Sequence, residues 1–180
     1  MSDWITVRRY CAPCGELVLG SYSDRLCLCD WMAEGGHRRV VDDRLIRMLG
    51  AEFAEGTSSV IETAIEQLDE YFAGVRRSFD VPLLLVGTEF QKRVWHELLP
   101  IPYGATISYG EMARNIGKPK AVRAVANANG ANAISIFMPC HRVIGSDGSL
   151  TGYAGGLHAK EYLLNLEHPM QTAPDILNIR

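Results

Sequence analysis

No apolar run in the chain approaches the ~20 residues that a membrane-spanning helix needs, which excludes a helical membrane protein. The first ten residues, MSDWITVRRY, lack an apolar leader core, so a secretory signal is not expected and the cytoplasm is the expected location. The cysteine pattern of a disulfide framework is missing too. There are five, an odd number: Cys11, Cys14, Cys27 and Cys29 in the first half, and Cys140 alone in the second. Charge of one sign is also absent, since the net charge is −3. That value argues against an obvious nucleic-acid binder but hides a split: residues 1–80 carry −5 and residues 81–180 carry +2. Between Gly110 and Gly145 stand five cations (Arg114, Lys118, Lys120, Arg123, Arg142) against Glu111 alone. A polyanion would dock there if one docks at all, although most charged runs are simply solvated faces.

What is present is an ordinary globular composition over 180 residues, enough for one domain or two small ones with a real core. Glu16–Ser21 and Arg25–Trp31 read as strands around a Ser23-Asp24 turn. After Gly56, with Thr57 and Ser58 as cap candidates, Val60, Ile61, Ala64, Ile65, Leu68 and Phe72 form one helical stripe that Gly74 stops. Strands followed by a helix suggest an α+β unit ending near residue 80. Residues 81–87 read as an extended connector around Pro82. The second half opens on a helix burying Phe90, Val94, Trp95, Leu98 and Leu99, ended by Pro100.

Ser108-Tyr109-Gly110-Glu111 matches the S-x-x-E capping box, so a helix should start at Tyr109 and stop near Gly117. Pro119 can occupy the first turn of a second helix running to Gly130. The pair is a helix-turn-helix candidate, although the pattern alone favours a plain αα-hairpin in the core. Ile134–Met138 reads as a short buried strand leading into Pro139-Cys140. A last helix, from about Leu157 to Glu167, turns Tyr162, Leu163 and Leu166 inward and is closed by His168-Pro169.

Cys140 and His141 are the chemical centre of the sequence. At pH 7 only roughly 3% of an unperturbed thiol is thiolate, so a nucleophilic cysteine needs a base or a cation beside it. His141 is the obvious base, but neighbours on a strand point to opposite faces. Either the chain turns sharply at Pro139-Cys140, or a water relays the proton. Asp147, Glu161 and Glu167 are the acids available to orient the imidazole. The five glycines between Gly145 and Gly156 allow a substrate close to backbone N–H groups, or serve only as turns.

PCHRV, with GYAGGL downstream and SYGEMA, NANGAN, FQKRVW and IPYGATISYGEMA upstream, closely resembles the O6-alkylguanine-DNA alkyltransferases (methylated-DNA–protein-cysteine methyltransferases). The likeness runs from about Gly87 to Glu167, and more loosely through CGELVLGS and LCLCDW in the first half. It implies an α+β fold: a ribonuclease H-like α/β domain over residues 1–82, then a mostly helical DNA-binding alkyltransferase domain with a helix-turn-helix over 83–180. It implies a monomer that flips O6-alkylguanine, and O4-alkylthymine, out of double-stranded DNA. The alkyl group passes irreversibly to its own cysteine, so each molecule reacts once.

The resemblance makes Cys140 the acceptor, rendered anionic by its imidazole neighbour through a relay from Glu167 through His141 and a water. Tyr109 would protonate guanine N3, and Asn132 would brace the turn at the acceptor. The carbonyls of Cys140 and Val143 would receive the guanine amino group, and the Ala154 N–H would reach O6, where the family often has serine. Gly155 and Lys160 complete the substrate site. Arg123 would fill the gap left by the extruded base, with Ala124, Lys118, Lys120 and Ser108 along the DNA. No cofactor is implied. Cys11, Cys14, Cys27 and Cys29 could together hold structural zinc, but strand alternation accounts for Cys27 and Cys29 without a metal. The acceptor cysteine counts against a lesion-binding relative without chemistry. The length counts against an alkylation-sensing regulator, and a cysteine hydrolase would leave Arg123 and the paired helices unexplained.

Overall fold

The computed structural model describes residues 4–32 and 36–168. Three antiparallel strands, β1 (Trp4–Ala12), β2 (Gly15–Tyr22) and β3 (Arg25–Trp31), are followed by α1 (His37–Leu49), β4 (Glu52–Glu55) and α2 (Ser59–Phe72). The sheet order is β3-β2-β1-β4, with β4 parallel to β1. At the β2–β3 turn Ser23 and Asp24 have φ of 48° and 58°. Both lie on the left-handed side that a two-residue hairpin matching strand twist requires. Ser58 Oγ accepts from the Ile61 N–H at 3.2 Å and caps α2, which lays Ile61, Ala64, Leu68 and Tyr71 into the core. Three elements of this half escaped the sequence pattern. β1 alternates only weakly, α1 buries just Val41, Arg44 and Leu45 among exposed arginines, and β4 is four residues long with none of them fully buried.

Residues 82–84 run beside the start of β3: the Leu26 N–H donates to Pro82 O and the Leu84 N–H to Leu26 O, both at 2.8 Å. Helix α3 (Glu89–His96) is capped by a reciprocal Thr88–Gln91 box. Leu99, expected to be inward, is 52% exposed because the helix has ended and the chain is turning. A short β5 (Ile107–Ser108) leads into α4 (Tyr109–Asn115), where Ser108 and Glu111 form the expected capping box. Helix α5 covers Val122–Gly130, so Pro119 lies in the connecting turn rather than in a helical first turn.

Ile134–Met138 is buried but is not a strand. The backbone of Cys29 pairs with it on one side (Cys29 N to Ala133 O 2.8 Å, Ser135 N to Cys29 O 2.7 Å), and Met138 N closes a tight turn on Ile134 O at 2.9 Å. Ile136 sits in that turn at φ 73°, a conformation that strains a β-branched residue. The run is apolar because it is enclosed, not because it alternates. A single 3-10 turn (Cys140–Arg142) follows, then β6 (Val143–Ile144) parallel to β5, and finally α6 (Gly156–Glu167). Leu163 of α6 is buried while Tyr162 and Leu166 are half-buried; Pro169 lies outside the described residues. The core continues from the sheet and α2 into the second half through aromatic contacts. Tyr71 lies 5.5 Å from Phe79 and 6.2 Å from Tyr103 between ring centroids, and Phe79 lies 4.5 Å from Phe137. Among the described residues no helix is long and apolar enough to cross a membrane.

Candidate active site

Cys140 opens the 3-10 turn after Pro139 and is 4% exposed. Asn132 holds that turn at several points. Its Nδ2 donates to Met138 O at 2.9 Å and to Cys140 Sγ at 3.2 Å, while its Oδ1 accepts from the Ile134 N–H at 3.0 Å. Asn129, on the last turn of α5, directs Nδ2 at Cys140 O at 3.4 Å. Burial pushes the Cys140 thiol up to about 11, against the opposing pull of the Asn132 hydrogen bond and the Lys160 charge. The resting sulfur is therefore a thiol at neutral pH.

His141, fully buried, places Nε2 2.7 Å from Glu167 Oε1. Burial alone would raise the Glu167 carboxyl, but hydrogen bonds from His141 and Arg142 hold it far below the usual carboxylate range. Burial also lowers His141, leaving it neutral at pH 7. With an anion at Nε2, the proton of the neutral imidazole sits on Nε2 and donates to Glu167. Nδ1 is then a lone-pair acceptor, and it is buried without a hydrogen-bond partner among the described residues. Because Cys140 and His141 share a 3-10 turn rather than a strand, the alternation that would separate them does not apply. Asp147 instead accepts from Ser149 in an exposed turn, and Glu161 is exposed on α6.

Arg142, counted in the sequence among the cations of a polyanion-facing surface, is not on the surface. It is 6% exposed. Its Nε and Nη2 grip the two oxygens of Glu167 at 2.8 and 3.0 Å, and Nη1 donates to Ile101 O at 2.7 Å. Lys160 is buried on α6, with Nζ donating to the carbonyls of Val143 (2.7 Å) and Thr151 (3.0 Å). The Val143 carbonyl therefore already has one donor and keeps its second lone pair. Tyr109 lies under the Lys160 ammonium, 5.9 Å from ring centroid to Nζ, with its hydroxyl 3.4 Å from Thr151 O; burial raises its phenol. The β5–β6 pairing sets Ser108 opposite Ile144 and Ile107 opposite Val143, which brings Tyr109 to the edge of the cysteine turn.

Ala154 and Gly155 are half-buried in the loop before α6. A Cβ at Gly155 would meet the Trp31 indole at 2.6 Å, so this glycine is needed for a close approach. Trp31 Nε1 also donates to Tyr153 OH at 3.2 Å. On the outer side, Lys118 and Lys120 are exposed in the α4–α5 turn, and Arg123 and Ala124 are exposed on the first turn of α5. Ser108 Oγ is engaged by the Glu111 N–H at 3.1 Å. Cys27 and Cys29 are both buried along β3, with Cys27 Sγ 3.5 Å from Gly20 O, whereas Cys11 is exposed. Tyr71, Asn129, Arg142 and Trp31 thus all touch the site or its supports. Arg142 stands in PCHRV, Asn129 in NANGAN and Trp31 in LCLCDW, but nothing in those runs announces the contact each makes; Tyr71 lies in no such run and reaches the site only through the tertiary fold.

The family described as "6-O-methylguanine DNA methyltransferase, DNA binding domain" matches residues 89–169. A methylated-DNA–protein-cysteine methyltransferase of Methanosarcina barkeri is 60% identical over 156 residues, covering 87% of this chain and 92% of that protein. A protein of the same name in Mycobacterium bovis is 61% identical over 104 residues, 58% of this chain and 63% of that one, so over this segment the chain spans under two thirds of the relative's length. The structure also superposes on that of Mycobacterium tuberculosis OGT in complex with DNA, with a TM-score of 0.78 and 42% identity over 91% of this chain and 92% of the other. With most of both chains aligned to the Methanosarcina protein, and a buried Cys-His-Glu array in the matched segment, the chain belongs to the methylated-DNA–protein-cysteine methyltransferases.

Proposed function

We propose that this chain repairs DNA by direct reversal, moving the alkyl group of O6-alkylguanine, and of O4-alkylthymine, onto Cys140. The buried His141–Glu167 pair, leaving Nδ1 as an acceptor on the same turn as the thiol, carries the proposal. Double-stranded DNA lies along the α4–α5 pair, read as a helix-turn-helix, with Lys118, Lys120 and Ser108 toward the phosphates. Arg123 replaces the base that has left the stack, and Ala124 lets the helix approach closely. Flipping costs a few kcal/mol, least for a damaged base.

In the reaction the thiol proton passes through a water to His141 Nδ1, and the imidazolium is stabilised by the Glu167 carboxylate. Sulfur attacks the alkyl carbon, the S–C bond forms, and the C–O6 bond breaks with its electron pair going to O6. Tyr109 turns from Thr151 O to protonate N3 and recovers its proton by way of the imidazolium, so the thiol proton ends on guanine. The Val143 and Cys140 carbonyls hold the amino group and the Ala154 N–H meets O6. Lys160 keeps the Val143 carbonyl in place and places a positive charge near the emerging thiolate, while Gly155 makes room for the loop. Asn132 orients Sγ. These atoms balance without a cofactor, and the thioether is not displaced, so one molecule repairs one lesion.

We read the sheet with α1 and α2 as ribonuclease H-like, spanning about residues 1–82, ahead of the DNA-binding unit from 83 onward. The protein works as a monomer in the cytoplasm, where its five free thiols stay reduced. Incubation with duplex O6-methylguanine DNA should add one methyl mass, on the tryptic peptide containing Cys140. Methylation of another cysteine, or none, rejects the assignment.

A further inference from the structure

The relay carboxylate of Glu167 is not served by its own half of the chain alone. Oε1 receives three donors: His141 Nε2 at 2.7 Å, Arg142 Nη2 at 3.0 Å, and the hydroxyl of Tyr71 at 2.7 Å. Oε2 receives Arg142 Nε at 2.8 Å and the Gly104 N–H at 3.2 Å. Tyr71 is the odd member. It lies 96 residues away in sequence, on the last turn of α2, which otherwise packs on the sheet. It is fully buried. Its ring is fixed by Phe72, Phe79 and Tyr103 with centroids 5.3 to 6.2 Å away. A ring packed on three sides fills its space without a hydroxyl, so packing accounts for an aromatic residue there but not for the phenol.

We propose that Tyr71 is a positioning residue of the proton relay: its hydroxyl fixes the Glu167 carboxylate and, by drawing charge from Oε1, sets how strongly that carboxylate favours the His141 imidazolium. This rests on the alkyl-transfer reading above and deepens it. Around His141 stand Glu167 and Lys160 from α6, Cys140 and Arg142 from its own turn and Tyr71 from α2, with Tyr103 and the Arg77 guanidinium over its ring beyond. The anion at Oε1 is the group whose strength Tyr71 adjusts, and burial, then the charge of Glu167, raise the phenol and keep it protonated.

The direction follows from the donors. His141 accepts the thiol proton only while Nδ1 is free, so transfer slows as pH falls through its pKa. Removing the Tyr71 hydroxyl concentrates charge on Oε1, strengthens the bond to His141 and raises that pKa. Tyr71→Phe should therefore move the acid limb of single-turnover methyl transfer upward by about one pH unit, the scale of one lost hydrogen bond to a charged group. A ring-fluorinated tyrosine inserted at position 71, a stronger donor of nearly the same shape, should move it downward. An 15N NMR titration of the His141 imidazole should show the same two displacements, independently of kinetics. Tyr10→Phe, which removes a phenol bonded to Asp69 at 2.8 Å away from the site, should leave the midpoint where it is.

A midpoint and a His141 titration unmoved by both changes at position 71 would overturn the inference while Cys140 still becomes methylated. Absence of methylation in the unmodified protein would instead overturn the functional reading, leaving the NMR titration to decide on Tyr71. If Tyr71→Phe does not fold, the fluorinated protein alone decides, because a residue there only for packing would not respond to the acidity of its phenol.

Discussion

At the scale of single residues, the site is built around one buried anion. Glu167 has five donors, and two of its bonds come from Arg142, itself enclosed and with its third terminal group on Ile101 O. Such an arrangement is costly to disturb from one side. Glu167→Gln leaves the guanidinium buried without its counter-charge, a situation that costs about 3–5 kcal/mol. The variant should show a much lower Tm in thermal unfolding and a transfer rate reduced at least ~100-fold, since the imidazolium loses its anion. The same carboxylate fixes an acid limit. Its pKa in the folded protein lies below the unfolded value of about 4.3, so its stabilisation is complete above roughly pH 5 and is lost as pH falls toward the folded value. Denaturant unfolding should therefore show stability declining below pH 5, and less steeply in Glu167→Gln once the overall loss is allowed for. Cys140→Ala, by contrast, removes a sulfur that makes one weak polar contact, and should abolish transfer while leaving DNA binding intact in a gel-shift titration.

At the scale of elements, what was legible in the sequence followed from how local each signal was. The α4 start could be read because Ser108 and Glu111 carry the whole capping box within four residues. The β2–β3 hairpin and the α2 stripe could be read for the same reason. Ile134–Met138 could not, because its backbone partners are Cys29 and Asn132, and apolar enclosure looks the same in a strand and in a packed turn. Helix α1 hid behind its arginines, and Arg142 looked like a surface cation because nothing nearby in sequence announces Glu167 as its partner. The local signals can be tested locally. Ser108→Ala removes the acceptor for the Glu111 N–H and should cost about 1 kcal/mol, seen as a lower denaturation midpoint. Since β5 ends at Ser108 and Tyr109 follows at once, the same change should slow methyl transfer through Tyr109 more than it weakens DNA binding. Arg123→Ala should do something different. Its side chain is exposed on the first turn of α5 and is no part of the His141–Glu167 hydrogen-bond array, so repair of duplex DNA should slow more than reaction with free O6-benzylguanine. Equal losses on both substrates would show that Arg123 does not fill the vacated stack.

At the scale of the whole molecule, a protein of net charge −3 has to find a polyanion. With Arg142 withdrawn into the core, the positive surface of this segment reduces to Arg114, Lys118, Lys120 and Arg123, all exposed on α4, α5 or the turn between them. The acidic excess belongs to the first 80 residues. Attraction should thus be short-ranged and tied to a few phosphate contacts rather than spread over the surface, with screening over about 8 Å at physiological salt. Each phosphate neutralised on duplex DNA contributes about 0.9 to the slope of log affinity against log salt. Replacing Lys118 and Lys120 together with alanine should therefore flatten that slope by about 1.8. Affinity should fall equally for damaged and undamaged duplexes, because these side chains do not contact the lesion. Fluorescence anisotropy over 50–300 mM salt measures both quantities. The rate with free O6-benzylguanine should stay unchanged, since neither lysine touches Cys140, His141 or Glu167. An unaltered slope would mean the DNA backbone runs elsewhere on the protein. A loss confined to damaged duplex would instead put the two lysines at the flipped base.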